Sequence, residues 1–175
     1  MFICSSINPM FIVNKHYLVS AFIFFYIIPE TFARPTLEPH ETYNSKKAQK
    51  LPSSIGLIIV GSSHYKFNFE VADTNYSRRI GLMHRSSMAS NSGMLFNFKS
   101  DRVISMWMRN TFLPLDILFL SKNGAVETIF KGAVPHSEIS ISSEKPVRAA
   151  LELVAGTVDK LKIEIGNKIS HSMFE

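Results

Sequence analysis

Hydrophobic and polar residues alternate without a break along "HYKFNFEVAD", residues 64–73. Tyr65, Phe67, Phe69 and Val71 occupy one set of alternating positions, and mostly polar residues occupy the other. Successive side chains of a strand point to opposite faces of its sheet, so a period of two predicts a strand with one buried face. The folded part of the chain therefore contains a sheet with a hydrophobic side.

The period changes directly after this strand. Tyr76, Ile80 and Met83 recur at intervals of four and three residues, which places them on one face of a helix. Thr74 precedes them, and threonine commonly caps a helix by accepting a hydrogen bond from its first turn. The sequence predicts a short helix that starts after Thr74 and is followed by a polar loop at residues 86–93.

Further apolar segments predict strands with short polar connections between them. They cover residues 93–98, 103–108, 113–120, 125–130, 147–153 and 163–169. Asn123 and Gly124 lie between two of these segments and predict a type I′ hairpin, in which both central residues need positive φ. "GTVDKL" predicts one helical turn capped by Thr157. This pattern indicates a mainly β domain with short helices (α+β), built as an antiparallel sandwich or barrel.

The apolar run "YLVSAFIFFYII", residues 17–28, belongs to a different kind of segment. Lys15 precedes it, and Thr31 and Ala33 follow in the small-residue pattern of a signal-peptide cleavage site. The run is shorter than the roughly 20 apolar residues that a membrane-spanning helix needs. We expect residues 1–33 to be a signal peptide and the protein to be exported to the periplasm or envelope. An uncleaved membrane anchor is the alternative.

Met10 offers a second possible start besides Met1, because residues 10–33 alone make a well-proportioned signal peptide. Cleavage after residue 33 would leave 142 of the 175 residues, with no integral membrane span and enough chain for a stable core. Residues 34–54 are polar and contain three prolines, which predicts a flexible linker before a single domain at residues 55–172. Cys4 is the only cysteine. The mature domain would therefore lack disulfides, cysteine nucleophiles and cysteine-ligated metals.

The charge of the chain is positive but dispersed. The formal net charge is +5 at pH 7, and outside "KKAQK" (46–50) the basic residues stand singly. Nucleic-acid binding needs a concentrated basic stripe, so we expect no nucleic-acid partner. A dispersed charge is compatible with weak attraction to anionic envelope components.

Most familiar catalytic motifs are missing from the sequence. It contains no G-x-S-x-G elbow, no H-E-x-x-H and no phosphate-binding glycine loop. A metal site would have to combine distant residues such as His84 and His136 with a carboxylate. Lone histidines are more often surface or hydrogen-bonded core residues. We therefore expect neither a metal nor another cofactor.

Polar residues concentrate in the otherwise apolar segment "SMWMRNTFLPLDILFL", residues 105–120. In a strand, Asp116 would share a face with Leu118 and Leu120, where an unpaired carboxylate is costly. We expect Arg109 to fold back and pair with Asp116. The simplest interpretation is a structural tie; the alternative is a pocket lined by Trp107, Arg109, Asn110 and Asp116.

Six ordered blocks of the sequence resemble the domain of unknown function 192 family over roughly residues 64–170. The blocks are "RIGLMHR" (79–85), "GMLF" (93–96), "MWMRNT" (106–111), "PLDILFL" (114–120), "AVPHSE" (133–138) and "VRAALELVAGTVDKLKIEIGNKI" (147–169). The resemblance implies one compact, β-rich domain similar to a jelly-roll-like sandwich, often with an export signal. It implies no particular reaction, because no activity is assigned to the family.

Two further residues are candidates for function. His136 lies in the polar loop "AVPHSE", and loops on a rigid scaffold often bind ligands. Glu152 alternates with Leu151 and Leu153, which predicts a side chain turned outward into solvent.

Two functions remain open. One is a non-catalytic module that binds a small ligand or a partner at Trp107, Arg109, Asn110, Asp116 and His136. The other is a hydrolase or lyase that uses Asp116 or Glu152 as acid or base. An enzyme should bring two titratable groups together in a cleft, whereas a binding site needs an aromatic wall and hydrogen-bonding groups. The missing motifs favour the binding module.

Overall fold

The computed structural model of the protein describes residues 47–175. The predicted signal peptide at residues 1–33 and most of the predicted linker lie outside the described residues. Between residues 47 and 175, no helix combines the length and apolar character needed to cross a membrane.

Strands make up most of the regular structure in this part of the chain. They are β1 (Ser53–Val60), β2 (Ser63–Ala72), β3 (Ser92–Arg102), β4 (Ser105–Met106), β5 (Leu115–Leu120), β6 (Val126–Ala133), β7 (Ile141–Ser142), β8 (Val147–Val154) and β9 (Lys168–Ser170). Two short helices, α1 (Asn75–Ile80) and α2 (Thr157–Leu161), and a 3₁₀ turn (Ser172–Phe174) complete it. The predicted mainly β fold with short helices is confirmed.

Seven strands form one curled sheet in the order β6-β5-β8-β3-β2-β1-β9, shaped as a half-barrel. β4 and β7 pair in a separate two-stranded sheet. All neighbours in the large sheet are antiparallel except β2 and β3, which run parallel. Parallel strands need a long crossover, which α1 and the loop after it provide.

Both faces of the large sheet are covered by hydrophobic side chains. Leu118 and Leu120 of β5 pack in one cluster, with Phe69 and Leu151. The alternate residues of β5, including Ile117, pack in a second cluster on the other face. The predicted division of β5 between its two faces is confirmed, but neither face is open to water.

The helix after β2 is shorter than its sequence pattern suggests. Thr74 caps α1 as predicted, accepting from the Ser77 backbone N–H at 3.0 Å. Gly81, at φ 49°, ends the helix, so Met83 lies beyond it. Tyr76 is 44% exposed, and the buried residues of α1 are instead Ser77 and Ile80.

The predicted hairpin joins β5 to β6, but its turn is of another type. The Gly124 N–H donates to the carbonyl of Ser121 at 3.0 Å, and Gly124 has φ 77°. Asn123 does not have positive φ, which excludes a type I′ turn. The Ser121 N–H donates to the Ala125 carbonyl at 2.9 Å, so residues 122–124 form a three-residue loop, a hairpin type that needs only one left-handed residue.

The last part of the predicted linker is attached to the domain. The Gln49 side chain donates to the carbonyls of Ser77 and Gly81, at 2.7 and 3.0 Å. The Leu51 N–H donates to the Glu70 carboxylate at 2.7 Å. β1 then begins at Ser53, two residues before the predicted domain boundary.

Candidate functional site

A cleft of about 400 Å³ opens between α1, β3, β4 and β8. Its floor contains Glu152, and its walls combine arginine side chains with aromatic and sulfur-containing ones. The residues that line it are Asn75, Arg78, Arg79, Ile80, Gly81, Leu82, Met83, Phe96, Phe98, Ser105, Met106, Trp107, Thr111 and Glu152. We call it the Glu152 cleft.

Glu152 is buried, contrary to the sequence prediction. It lies on β8, a central strand, between Met94 of β3 and Ile117 of β5, and is 4% exposed. Both faces of β8 are covered by other parts of the chain. The alternation with Leu151 and Leu153 therefore places the Glu152 side chain on the opposite face of the sheet, where it is still shielded from solvent. Burial raises the pKa of the Glu152 carboxyl to about 8, and the charge of Arg85 opposes this increase.

Arg85 is committed to another carboxylate. Glu70 of β2 pairs with Met94, which also pairs with Glu152, so the two glutamates lie in one row across the sheet. Arg85 donates to both oxygens of Glu70 at 2.7 Å and also to the Gln49 carbonyl at 2.7 Å. Burial opposes the ionisation of Glu70, yet hydrogen bonds from Arg85 and Leu51 leave its pKa lowered.

Glu152 therefore has no comparable partner. Its environment includes the charge of Arg85 but no hydrogen bond to its carboxyl from any described residue. A buried carboxyl without a donor is costly in its ionised form, which explains why the neutral form is favoured near pH 7.

Both arginines of α1 line the cleft, but only Arg78 has hydrogen-bonding partners. Arg78 donates to the carbonyls of Asp73 and Asn97, both at 2.8 Å, and its guanidinium lies over the Phe98 ring. The Arg79 side chain is exposed and has neither a hydrogen bond nor an ion pair with any described residue. Arg79 is therefore able to bind an anion without breaking an existing contact.

Trp107 forms part of the cleft wall and is 47% exposed. The Arg109 guanidinium lies 5.8 Å from the centre of the Trp107 ring, and its Nε is 3.7 Å from Glu138 Oε1. The structure thus brings Trp107 and Arg109 together, on the outer side of the site.

Asp116 does not pair with Arg109, and that prediction is wrong. Its Oδ1 accepts from the Gly132 N–H at 3.0 Å, and its Oδ2 accepts from the Val158 N–H at 2.9 Å. Val158 is the second residue of α2, so Asp116 caps this helix from a distant strand.

The predicted Thr157 cap is therefore also wrong. Thr157 is the first residue of α2, and its hydroxyl donates to the Val154 carbonyl at 2.6 Å. Asp116 lies opposite Leu153, on the face of the sheet that Glu152 does not share. Asp116 and Glu152 consequently cannot act in one site.

Asn110 and His136 lie in neighbouring loops outside the cleft lining. Asn110 adopts φ 54°, and its carbonyl accepts from the His84 N–H at 2.9 Å. The Phe112 ring stands between those of His84 and His136, with ring centres 6.0 and 5.3 Å apart. Among residues 47–175 no three histidine, cysteine, aspartate or glutamate side chains are grouped closely enough to hold a metal.

A serine–histidine pair also occurs, far from the cleft lining. His171 Nε2 lies 2.7 Å from the Ser54 hydroxyl, and its Nδ1 accepts from the Met173 N–H. This second bond places the ring proton on Nε2, so the neutral imidazole donates to Ser54 and cannot remove its proton. Burial also lowers the pKa of His171. The pair is a structural contact between β1 and the C-terminus.

The residues that matter most in this cleft are only weakly marked in the sequence. Its pattern draws attention to Glu152 but predicts a position in solvent, and nothing in it distinguishes Arg78 or Arg79 from other basic residues. The usable signal is that β8 is apolar at nearly every position, which is typical of a strand buried on both faces. A glutamate in such a strand cannot be an ordinary surface residue.

The curled β-sheet with two short helices agrees with the comparisons with known proteins. The chain belongs to the domain of unknown function 192 family: the DUF192 family model, described as "Uncharacterized ACR", matches residues 58–171. No curated protein matches the chain.

Two solved structures share this fold. A protein from Sinorhizobium meliloti 1021, provisionally described as a transcription regulator, is 39% identical, with a TM-score of 0.70 over 73% of this chain and 99% of its own. A protein of unknown function from Novosphingobium aromaticivorans DSM 12444 is 28% identical, with a TM-score of 0.66 over 73% of this chain and 96% of its own.

Proposed function

We propose that this protein binds a small molecule in the Glu152 cleft and does not catalyse a reaction there. The observation that carries the proposal is a buried, donor-free carboxyl at the floor of an open cleft of about 400 Å³. The cleft gives access to this carboxyl, so a ligand that enters can replace water as its hydrogen-bonding partner. The volume lies in the usual range of small-molecule sites.

The composition of the lining favours binding over catalysis. Among the described residues of the lining, Glu152 alone titrates near neutral pH, since the other ionisable side chains there are Arg78 and Arg79. A raised carboxyl pKa is typical of a general acid, so an acid-catalysed hydrolase or lyase is the second candidate. That candidate lacks a second acid or base within the described lining, and Asp116 lies across the sheet.

Export is a separate part of the proposal and rests on the sequence. The apolar run and the "TFA" pattern support a cleaved signal peptide, which would place the ligand and any envelope partner outside the cytoplasm. Sequencing the amino terminus of protein recovered from the envelope fraction should give Arg34 as the first residue. An intact chain recovered from the cytoplasm would contradict export and leave the cleft proposal unaffected.

Ligand binding can be followed through the only tryptophan of the chain, because Trp107 lines the cleft. We expect a panel of small metabolites to contain compounds that both change Trp107 emission and raise the melting temperature of the full-length protein. The melting temperature rises because such compounds bind only the native state.

Ser105 and Ser142 offer a matched pair of variants. They face each other across β4 and β7 and are both exposed, but only Ser105 lines the cleft. Ser105→Phe should abolish the ligand-induced changes, and Ser142→Phe should preserve them. Equal responses of the two variants, or no active compound in the panel, would refute binding in this cleft.

A further inference from the structure

The cleft offers one free cationic group and one buried acid. Arg79 is the only lining arginine without a hydrogen bond or ion pair to a described residue, since Arg78 is held by backbone carbonyls. Glu152, at the floor, lacks a hydrogen-bond donor. They are the two ionisable side chains of the described lining that have no hydrogen-bonding partner among the described residues.

The charge of the described lining is positive near neutral pH. Arg78 and Arg79 contribute two guanidinium groups, which are cationic in proteins, and the Glu152 carboxyl, with its raised pKa of about 8, is mostly neutral. A cationic ligand would be repelled by both guanidiniums. An anion is attracted, and a guanidinium binds a planar carboxylate through two parallel hydrogen bonds.

A neutral carboxyl adds a hydrogen-bond donor, which an ionised one lacks. The O–H of Glu152 can donate to an uncharged oxygen or to an anion. The side chains of Phe96, Phe98 and Trp107 add an aromatic wall to the cleft. A ligand with an apolar body and oxygen atoms at its ends fits this distribution.

We propose that the ligand of the Glu152 cleft is a small organic carboxylate, bound by Arg79 through its carboxylate and by Glu152 through a second acceptor oxygen. This inference rests on the proposed binding function and specifies the ligand class. A carboxylate is favoured over a phosphate because one free guanidinium matches a single negative charge, whereas a phosphate dianion requires more donors.

Binding should depend on the protonation of Glu152. Arg85, in the segment after α1, and Glu70, on β2 beyond Met94, are charged groups on the same face of the sheet as Glu152. Arg78 and Arg79, on α1, are the charged groups of the described lining, to which β3, β4 and β5 add no titratable side chain. When Glu152 ionises, it loses its donor and repels the ligand. For a pKa of about 8, roughly nine tenths of the Glu152 carboxyls are ionised at pH 9, so carboxylate affinity should fall about tenfold from its value at pH 7.

The experiment is isothermal titration calorimetry of the full-length protein with four compounds of one shape, with Trp107 emission as a second readout. The compounds are 4-methoxybenzoate, 4-methoxybenzamide, 4-methoxybenzylamine and 4-methoxyphenyl phosphate. Only the group presented to Arg79 differs among them. We expect the carboxylate to bind most tightly at pH 7 and to weaken about tenfold at pH 9.

Three variants assign the effect to residues. Arg79→Gln should weaken carboxylate binding about tenfold or more, the usual effect of losing a charge-assisted hydrogen bond, and leave the amide unchanged. Arg102→Gln controls for a general effect of lost positive charge, because Arg102 contacts Phe98 but does not line the cleft. It should have little effect. Glu152→Gln keeps a donor at every pH and should remove the pH dependence.

The outcomes separate this inference from the proposed function. Tighter binding of the amine or the phosphate would overturn the carboxylate assignment while leaving a binding cleft in place. Equal losses in Arg79→Gln and Arg102→Gln would also overturn it, because recognition would then be a diffuse charge effect. If none of the four compounds binds but other compounds bind in a manner blocked by Ser105→Phe, only the ligand class is wrong. Absence of any ligand would refute both.

Discussion

At the scale of single residues, two glutamates on one row of the sheet have opposite electrostatic states. Glu70 has a bidentate arginine and a backbone donor, and its pKa is lowered. Glu152 lies on the far side of Met94 without a donor, and burial raises its pKa. The two pKa values differ because the Arg85 guanidinium hydrogen-bonds to Glu70 and not to Glu152. Neither the residue type nor the strand pattern accounts for the difference.

Glu152 should make the protein less stable as the pH increases. Its pKa is about 8 in the folded protein, against the ordinary value of 4.5 in the unfolded chain. Its favourable contribution is therefore complete below pH 4.5 and is lost as the pH rises through 8. Glu152→Gln should remove this dependence and be more stable than wild type at pH 9, on the order of a few kcal/mol. Urea unfolding at pH 5, 7 and 9 measures it.

Glu70→Gln is the control and should behave in the opposite way. A lowered pKa stabilises the folded protein above the unfolded value and is lost on acidification. Glu70→Gln should therefore destabilise the protein at pH 7, where Arg85 loses its partner. If Glu152→Gln retained the wild-type loss of stability between pH 5 and pH 9, Glu152 would not be the buried acid described above.

At the scale of elements, a strand residue stabilises a helix that begins 41 positions later in the chain. α2 starts at Thr157 and has no side-chain cap of its own, because Gly156 occupies the N-cap position. The Asp116 carboxylate supplies the missing acceptor to the Val158 N–H and binds β6 through Gly132. Asp116 thus joins three elements, which explains a carboxylate in an otherwise apolar strand.

Asp116→Ala should destabilise the protein by about 1 to 3 kcal/mol, since two backbone N–H groups lose their acceptor. Arg109→Ala should have little effect, because the side chain is largely exposed and its pairs are weak. Chemical unfolding of both variants and the double mutant gives their coupling energy. We expect a coupling near zero; a value above about 1 kcal/mol would mean that the two residues meet after all.

At the scale of the whole molecule, the two edges of the curled sheet meet at one end. The hairpin after β5 reaches β9, where Ala125 bridges to Lys168 and the Ile169 N–H donates to the Gly124 carbonyl at 2.8 Å. A Cβ on Gly124 would lie 2.2 Å from the Ile169 carbonyl oxygen. A side chain at this position would therefore push apart the contact between the two edges.

Gly124→Ala should destabilise the protein by more than the roughly 1 kcal/mol that a left-handed conformation costs a residue with a Cβ. Gly132→Ala is the matched control, because Gly132 has φ 63° but no atom within 4 Å of the added Cβ. The melting temperature of Gly124→Ala reports the steric clash together with the backbone strain, whereas that of Gly132→Ala reports the backbone strain alone. Equal decreases in melting temperature would show that the backbone at Ile169 moves away from the added Cβ without a loss of stability.

The local pattern of the chain determined much of its secondary structure. The alternation at residues 64–73 predicted β2, and Thr74 predicted the start of α1. Both features depend only on residues that are close together in sequence. The division of β5 between two faces follows from the pleat of a strand. The family resemblance likewise rested on ordered blocks and is confirmed.

The partners of the polar residues were decided only by tertiary structure. A period of two says that Asp116 and Glu152 each point to one side of a strand, but not what covers that side. Asp116 meets a helix N-terminus and Glu152 meets the floor of a cleft, because α2 and α1 lie on opposite faces of the sheet. The free energy of a polar group depends on its solvent exposure and its partners, which distant parts of the chain supply.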